Sequence, residues 1–445
     1  TASLGMVVDN RRILDLPLPG GNPVYLAQLT PGVVSTNPPT HGWLPVAPDA
    51  ASNLATSGTR TRSSEFTLDG IPNMTRSGQI SYLPPPEIVQ EFRVQTTAFD
   101  ASVGRFTGAH INMVLKSGTN DLHGSLWYSH VSRPLMTRGF FINRQIYDTS
   151  TGPPTKEKID RLWPSVRTNR YRGSAGGPVE IPGLYQGKNR TFWVYGFDAV
   201  NRVLPAPGYF TVPTQRQRTG DFSELLALDS RYQIYDPATI AAAPGGRFSR
   251  QPLGGNLLPA SRFNPVARKI LEYYPLPNAA GTADGRNNYF DPQPNHVDLY
   301  SHTARVDHVV SQSQRLYGTL SWSDMLQNSG QTFRNDAIGL RRSRNHRGFA
   351  LDDVLLLRPD LVVNLRYGFT RFILHDRPQS LGFDIASLGF PVALTSRLDR
   401  SITSFPQISV GAHTGVGSDS GFKPTTNYHS FSGNVSNVRG NHSLR

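Results

Sequence analysis

The chain of 445 residues is long enough for two or more domains and a sizeable buried core. Only 17% of the residues are charged, and 41 glycines and 35 prolines favour short strands and loops, so the composition predicts a β-dominated fold. The net charge of +13 is spread over single residues and small groups and predicts no nucleic-acid partner, while the lack of cysteine excludes disulfides and thiolate zinc sites.

Membrane insertion through helices is not predicted, because no window approaches the ~20 apolar residues that a membrane helix needs. The shorter alternating strands of a β-barrel, ~9–11 residues each, stay open as an alternative. The sequence starts at Thr1, and we expect it to be an excerpt whose targeting segment is not included.

The first 121 residues are typical of a small mixed α/β domain. The predicted elements are a short helix over residues 24–29, a loop over 35–62, and strands over 66–68, 91–95 and 110–115. The first of these strands closes on the turn pair Asp69-Gly70, and Pro86 opens a helical turn before the second.

From Leu122 onward, apolar and polar residues alternate in short segments, the period of a strand with two unlike faces. Residues 361–370 are the clearest example, with leucine, valine and aromatic residues at the odd positions and mostly polar residues at the even ones. Strands are predicted over residues 122–132, 167–178, 189–201, 298–309, 314–324, 345–357, 361–373 and 426–438, and a ninth begins at Asn441.

The connections between these strands alternate in length. Tight turns are predicted around residues 311–313, 358–360 and 439–440, with a modest one over 179–188, whereas the connections 133–166, 202–297, 325–344 and 374–425 are long. Short periplasmic turns and long extracellular loops are typical of a transmembrane barrel. Aromatic residues near strand ends or on the apolar faces match the interfacial girdles of such barrels.

Three segments of the first domain carry a family resemblance. Residues 86–94 (PEIVQEFRV), 99–105 (FDASVGR) and 108–120 (GAHINMVLKSGTN) together resemble the plug domain of TonB-dependent outer-membrane receptors. Residues 66–72 (FTLDGIP) are similar to the earlier strand and turn of that domain. The sequence departs from the pattern at residues 95–97, where Gln-Thr-Thr replaces the usual Arg-Gly-Pro, and it shows no clear TonB-contact box before the plug.

Downstream motifs resemble the large Oar-like receptors of the same family. These motifs are RYRGSAGGP (170–178), KNRTFWV (188–194), VPT (212–214), TGDFS (219–223), YDPAT (235–239), YPLPN (274–278) and RVDH (305–308). Each motif is weak alone, but together, in this order, they extend the resemblance over nearly the whole chain.

The resemblance implies a plug domain over residues 1–121, followed over residues 122–445 by the N-terminal part of an antiparallel transmembrane β-barrel with long extracellular loops. About nine strands are present, whereas such barrels close with roughly 22. It also implies an outer-membrane receptor that binds an extracellular ligand and imports it with energy from the TonB complex of the inner membrane. No cofactor is implied, and the ligand class stays open between a siderophore, an oligosaccharide and a peptide.

Two sets of candidate site residues follow from the resemblance. The plug motif, with a structural role in backbone geometry and docking, comprises Asp69, Gly70, Glu91, Val94, Gly104, Gly108, Asn112, Lys116 and Gly118. Glu91 is also expected to form an ion pair with the barrel wall. Ligand contact is expected at the apical loops of the plug, from Trp43, Arg60, Arg62, Arg76 and Tyr82, although these arginines could equally form salt bridges to the wall.

Catalytic and metal chemistry are not predicted. His296, His302 and His308 share one face of an extended segment, but six strand residues separate neighbours by about 20 Å, too far for one metal ion. Asp352 and Asp353 are adjacent and must point to opposite faces of a strand. No G-x-S-x-G, Walker, HExxH or EF-hand pattern is present.

Two other functional classes stay open at this point. The same barrel could anchor a surface adhesion or scaffold protein without active transport. Alternation is also compatible with a soluble β-sandwich that binds a ligand or acts on carbohydrate.

Overall fold

The computed structural model describes residues 5–16, 18, 22–36, 52–96, 106–329, 331–418, 421, 423–439 and 442–444. The strands before residue 120 are β1 (Gly5–Asp9), β2 (Val33–Ser35), β3 (Leu54–Thr56), β4 (Glu65–Leu68), β5 (Ile71–Pro72), β6 (Val89–Gln95) and β7 (His110–Leu115). Helix α1 (Asn10–Asp15) and two 3₁₀ helices, Pro23–Leu29 and Pro86–Ile88, accompany them. These elements are called the N-terminal unit below.

The remaining strands follow in chain order. They are β8 (His123–Ser132), β9 (Arg167–Pro178), β10 (Glu180–Ile181), β11 (Tyr185–Gln186), β12 (Thr191–Pro205), β13 (Gly208–Phe210), β14 (Ala241–Ala243), β15 (Arg247–Ser249), β16 (Tyr289–Asp291), β17 (Pro294–Ser311), β18 (Gln314–Ser329), β19 (Leu340–Arg358), β20 (Leu361–Pro378), β21 (Thr425–Arg439) and β22 (His442–Leu444).

Short helices occur in the long connections between these strands. The α-helices are α2 (Phe140–Ile146), α3 (Lys156–Leu162), α4 (Gln215–Arg218), α5 (Ser223–Leu228), α6 (Pro265–Leu271) and α7 (Val392–Thr395). The 3₁₀ helices are Arg133–Leu135, Thr149–Thr151, Ser230–Tyr232, Pro237–Thr239, Pro244–Gly246, Gly254–Asn256, Ala260–Arg262 and Ile385–Leu388. Each described helix falls short of the length and apolarity needed to cross a bilayer.

The N-terminal unit is built on a five-stranded sheet with the order β1-β6-β7-β4-β5, in which β4 and β7 are parallel. Its core is apolar and closely packed around Phe66, Phe92, Ile111 and Met113, which are all fully buried. Strand β7 buries every second residue, as its sequence predicts. The strands β1, β2 and β3 and helix α1 are not predicted from the sequence, and β3 lies in the segment 35–62 that predicts a loop.

Nine strands form one large antiparallel sheet. Its order, β8-β9-β12-β17-β18-β19-β20-β21-β22, follows the chain, so each strand pairs with the next long strand in sequence. All nine predicted strands are confirmed, and several run further than predicted, because β12, β18, β19 and β20 continue towards the long connections. Those connections are correspondingly shorter than the sequence predicts, most clearly between Ser329 and Leu340.

The two faces of the large sheet differ sharply. The face called inner here packs against the N-terminal unit and buries small and polar side chains such as Asp198, Thr303 and Asp352. The outer face exposes large apolar side chains, among them Leu126, Val306, Leu320, Leu365 and Phe431. The end of the sheet with short connections is called the turn side, and the end with long connections the loop side.

The long connections on the loop side pack into a body of their own. Residues from three of them share one apolar cluster around Val212, Tyr274, Phe333 and Phe405, which are all buried. Phe333 contacts the rings of Tyr274 and Tyr289 at centroid distances of 5.3 and 5.6 Å. The loops therefore form a defined surface above the sheet.

Candidate functional site

The Asp69-Gly70 turn is the part of the predicted plug motif that the structure explains most fully. Both residues have positive φ, 49° and 78°, so the chain reverses sharply between β4 and β5. The Asn112 Oδ1 atom accepts hydrogen bonds from the Gly70 N–H at 3.1 Å and the Thr67 hydroxyl at 2.7 Å. Asp69 Oδ1 accepts from the Leu115 N–H at 2.9 Å. The turn is thus tied to strand β7 by side chains that the motif contains.

Asp69 also reaches the inner face of the large sheet. Its Oδ2 atom lies 3.3 Å from Nη1 of Arg305 on β17, which also pairs with Asp307 at 2.7 Å. Asp69 and Arg305 have only 3% and 12% of their side chains exposed. Burial raises the pKa of Asp69 to about 6, although Arg305 and the Leu115 N–H both favour the carboxylate.

The raised pKa of Asp69 predicts a pH-dependent stability. The carboxyl loses its proton near pH 4 in the unfolded chain but near pH 6 in the folded one, so its contribution is present below pH 4 and lost between pH 4 and 6. The loss is roughly 3 kcal/mol, since one pKa unit corresponds to about 1.4 kcal/mol. Asp69→Asn should remove this part of the pH profile, as measured by thermal unfolding of the full-length protein in detergent between pH 4 and 7. Parallel profiles for the two proteins would contradict the assignment.

A second ionic cluster joins the N-terminal unit to β9 and β12. Glu87 Oε1 lies 3.3 Å from Nη1 of Arg172, whose guanidinium stacks 3.9 Å from the ring centroid of Trp127. Beside it, Arg170 donates to Asp198 through Nε, at 2.8 Å from Oδ1, and through Nη2 to the other oxygen. All four charged side chains are at least nine-tenths buried. Glu87 was not singled out by the sequence, because an acidic residue in the first turn of a helix has an ordinary capping role.

Tyr82, which the sequence predicts to contact a ligand, instead packs against the inner face of the large sheet. Its hydroxyl donates to the carbonyl of His302 at 3.0 Å and lies 2.5 Å from the Thr303 hydroxyl, and its ring stacks on His346 at 4.5 Å. Only 1% of the residue is exposed. A ligand could not reach this ring in the present arrangement.

The other predicted contact residues are dispersed. Arg60, Arg62 and Arg76 are exposed, Arg62 Nε donates to Asn53, and the backbone N–H of Arg76 donates to Thr426 of β21 at 3.1 Å. Trp43 lies outside the described residues, as does Gly104 of the plug motif.

Among the residues that the structure describes, Glu91 does not form the expected ion pair with the large sheet. Its carboxylate pairs at 2.8 Å with Arg93, two residues along the same strand. The physical reason is the alternation of β6: Phe92 and Val94 are buried in the core of the unit, which turns Glu91 and Arg93 to the opposite face of its sheet. Asp69 and Glu87 are the acidic residues of the N-terminal unit that pair with arginines of the large sheet.

Glycines allow the backbone to approach closely at the remaining motif positions. A Cβ atom on Gly118 would lie 2.6 Å from the Trp193 carbonyl oxygen of β12, and one on Gly108 would lie 2.6 Å from the Ser64 hydroxyl. Lys116 follows β7 directly, and its N–H donates to the Ile88 carbonyl at 2.8 Å. These residues determine the path of the chain from the N-terminal unit to the first strand of the large sheet.

A groove of about 1130 Å³ lies between two connections on the loop side. Helix α3 forms one wall, and the segments around β13 and β16 form the other. Its lining combines charged, amide and aromatic side chains, including Lys156, Arg161, Tyr209, Asn287 and Phe290. The rings of Tyr209 and Phe290 are 5.1 Å apart, and Arg161 Nη1 donates to the Tyr209 hydroxyl at 3.2 Å. Aromatic residues in these connections were the only sequence signal for the groove.

No metal site is found within the described ranges. His302 and His308 face outward from β17, where His302 stacks on Trp322 at 4.5 Å and accepts or donates a hydrogen bond with the Tyr195 hydroxyl. Asp352 pairs with Arg366 on the inner face, and Asp353 accepts from Gln314 instead. The two carboxylates point apart, as their adjacency predicts.

Comparison with known proteins identifies the fold. The sequence profile of the outer membrane beta barrel domain matches residues 114–445. The outer membrane transporter YddB from Escherichia coli has a similar structure, with 11% identity and a TM-score of 0.58, and the match covers 99% of this chain and 46% of that one. The siderophore receptor PirA from Acinetobacter baumannii gives 12% identity and a TM-score of 0.49 over 98% of this chain and 45% of that one.

No curated protein matches the sequence. The present chain spans about half the length of the solved transporter, 46%. The family profile extends over most of the chain and includes all nine strands of the large sheet. The chain therefore belongs to the outer membrane beta barrel domain family and lies in the outer membrane.

Proposed function

We propose that this chain is the N-terminal part of a TonB-dependent outer-membrane receptor of the Oar-like type. In this proposal residues 1–121 are the plug and residues 122–445 are the first part of the barrel with its extracellular loops. The whole protein binds an extracellular ligand and imports it with energy from the TonB complex, and no chemical step is involved. The alternative is a barrel-anchored adhesion or scaffold protein that does not transport.

One observation carries the proposal: the N-terminal unit covers the inner face of the large sheet, and buried ion pairs and hydrogen bonds are among the contacts that hold it there. Asp69 pairs with Arg305 and Glu87 with Arg172, and the Thr370 hydroxyl donates to the Pro72 carbonyl at 2.8 Å. Such contacts are directional, so a shift of one or two ångströms breaks them, and water entering the gap resolvates the charges. Buried ion pairs contribute less net stability than apolar packing of the same volume, so contacts of this kind suit a unit that must be displaced.

Ligand contact in this proposal occurs at the loop groove. Tyr209 and Phe290 offer aromatic surface, and Lys156 and Arg161 offer positive charge beside the acidic residues Glu157 and Asp160. An aromatic wall with amide and charged groups suits stacking against a planar or sugar ring together with hydrogen bonds. The ligand class stays open between a siderophore, an oligosaccharide and a peptide.

The test uses the absence of cysteine in residues 1–445, where an introduced pair has no competing thiol. A Cβ built on Gly368 of β20 lies 2.7 Å from Ile71 Cγ1, so the two Cβ atoms are slightly closer than the roughly 3.5–4.5 Å of a disulfide, and a small local shift allows the bond to form. In Ile71→Cys/Gly368→Cys the plug can therefore be locked to the wall by oxidation and released by reduction.

Cells that express the full-length variant would be given a labelled ferric siderophore, oligosaccharide and peptide, with and without TonB. We expect TonB-dependent uptake of one of these compounds, abolished by oxidation and restored by reduction in the double variant, while uptake by each single-cysteine variant does not change between oxidising and reducing conditions. If none of the three enters in a TonB-dependent manner, or if uptake continues in the cross-linked protein, the anchored-adhesion alternative is favoured.

A further inference from the structure

One wall of the loop groove is a flat arrangement of rings. Strands β13 and β16 pair antiparallel, with Tyr209 directly opposite Phe290. Side chains two residues apart on a strand share a face, so Pro207 and Pro292 lie on the same side as these two rings, and all four residues line the groove. Two strand residues rise about 7 Å and paired strands lie about 5 Å apart. The four rings therefore form a continuous surface, called the ring platform below.

The ring platform is open to a ligand. Tyr209 is 45% exposed, and its ring is tilted by 47° to that of Phe290 at a centroid distance of 5.1 Å. The face of an aromatic ring carries a partial negative charge, which attracts the slightly positive C–H groups of a molecule that lies on it. The platform therefore suits a ligand that has a flat face of C–H groups.

The opposite wall, helix α3, carries both signs of charge in equal number. The groove is lined by the cations Lys156 and Arg161 and by the carboxylates Glu157 and Asp160, so the formal charge of the lining is zero. Asp160 is already bound by Lys156 at 2.6 Å and by Arg133 beside the groove. This wall offers hydrogen-bond donors and acceptors without an excess of either charge.

These features disfavour an anionic chelate and an extended peptide. An anionic metal chelate is held by uncompensated cations, whereas here Glu157 and Asp160 balance the two cations of the lining. An extended peptide adds to a free strand edge. The edge of β16 beside the groove is occupied, because the Asn278 side chain accepts from the Phe290 N–H at 2.6 Å and donates to the Phe290 carbonyl at 2.9 Å.

We propose that the loop groove binds a neutral oligosaccharide of several units. The C–H face of a sugar ring packs on the ring platform, and the sugar hydroxyls, which both donate and accept, bind the mixed charged groups of α3 and the amide of Asn287. The groove volume of about 1130 Å³ exceeds the roughly 300–1,000 Å³ of sites for drug-sized molecules, which leaves room for more than one sugar. This inference rests on the proposed function, because it takes the loop groove as the ligand site.

Calorimetric titration of the full-length protein in detergent measures binding without the TonB complex. The neutral probes are maltohexaose, cellohexaose, xylohexaose and mannohexaose. The comparison probes are hexagalacturonate, ferric enterobactin, ferrichrome and an unstructured hexapeptide. We expect at least one neutral sugar to bind roughly tenfold or more tightly than each comparison probe.

The variant Tyr209→Ala/Phe290→Ala removes both aromatic rings of the platform. It should weaken binding of that sugar by roughly tenfold for each ring. The control Tyr235→Ala/Phe248→Ala removes the same two residue types from exposed loop positions outside the groove and should bind as the parent does. Heat-modifiable electrophoretic migration checks folding, and Tyr209→Ala alone, with an expected loss of about tenfold, is used if the double variant does not fold.

A charge variant tests why the groove prefers a neutral ligand. Glu157→Lys leaves three cations and one carboxylate in the lining, a formal charge of +2. It should therefore strengthen the binding of hexagalacturonate by roughly tenfold or more. Unchanged hexagalacturonate binding would contradict the charge argument and with it the proposed ligand class.

Three other results would overturn the inference: no binding of any neutral sugar, equally tight binding of a comparison probe, or equal affinities in the parent and the platform variant. TonB-dependent uptake of another compound by a protein that binds no sugar would contradict this inference alone. Sugar binding without TonB-dependent uptake would contradict the import proposal and support the present one.

Discussion

Replacing Asp198 with alanine should destabilise the folded protein by roughly 3–5 kcal/mol, because it leaves Arg170 buried without its counter-charge. The side chains of both residues are only 9% exposed, and Arg172, another cation, is the register partner of Asp198 on β9. The measurement is denaturant unfolding of the full-length protein in detergent micelles, followed by tryptophan fluorescence.

The matched control is Asp324→Ala on the outer face. Asp324 also pairs with an arginine, Arg347, but their side chains are 46% and 50% exposed, so its loss should cost no more than about 1 kcal/mol. The double variant Arg170→Met/Asp198→Leu should recover most of the stability lost in Asp198→Ala, because no buried charge is then left alone. Similar small decreases in the free energy of unfolding for Asp198→Ala and Asp324→Ala would contradict this account, because they would show that water reaches the ion pair between Arg170 and Asp198.

The second large effect concerns the contact of Gly368 with Ile71. A Cβ on Gly368 would lie 2.4 Å from both Cδ1 and Cγ2 of Ile71, and a β-branched side chain has little rotamer freedom to withdraw. Gly368→Ala should therefore cost about 1–3 kcal/mol as overpacking. It should also raise ion leakage through the full-length protein in planar bilayers, because the N-terminal unit no longer sits flush against β20.

Ile71→Ala tests whether contact with the Ile71 side chain causes the effect of Gly368→Ala. Alone it should cost about 2–5 kcal/mol through loss of buried apolar atoms, but combined with Gly368→Ala the new methyl group occupies space that Ile71 vacates. The two changes should thus be less than additive by 0.5–3 kcal/mol. Gly433→Ala is the control, since its Cβ would meet Leu365 at an ordinary 3.5 Å. Strict additivity would show that residues 71 and 368 do not press on each other in the folded protein.

The strands were predictable because apolar residues on the outer face of a membrane sheet alternate along each strand with small or polar residues on its inner face. Strand β9 (Arg167–Pro178) has the bounds that the sequence predicts, and the faces of β20 divide as expected, with Gly368 and Thr370 buried and Leu365 exposed. Strand β19 begins at Leu340, five residues before the predicted start, because the run Arg341-Arg342-Ser343-Arg344 has no apolar positions to show the alternation. Polar residues on both faces of this part of β19 conceal the strand that carries them.

The sequence predicts the candidate site only where the residues that form it are close together in the chain. The turn pair Asp69-Gly70 is recognisable in the sequence because both residue types tolerate positive φ, whereas the hydrogen bond from Gly70 to Asn112 joins residues that are 42 positions apart. The partner of Asp198 depends on strand register, and that of Glu87 depends on how the N-terminal unit docks on the large sheet. Neither is encoded in a single segment. The loop groove and the cluster around Phe333 depend in the same way on contacts between connections far apart in sequence.

The central claim is that the outer face of the large sheet meets lipid while its inner face is covered. Single cysteines on β20 of the full-length protein, spin-labelled and reconstituted in bilayers, test it most directly, with Val363, Leu365, Tyr367 and Phe369 on the outer face and Val362 and Asn364 on the inner face. We expect the four outer labels to collide with oxygen dissolved in the lipid, and the two inner labels to be shielded both from oxygen and from a water-soluble nickel complex. Outer labels reached by the nickel complex, or the same accessibility at all six positions, would contradict the account.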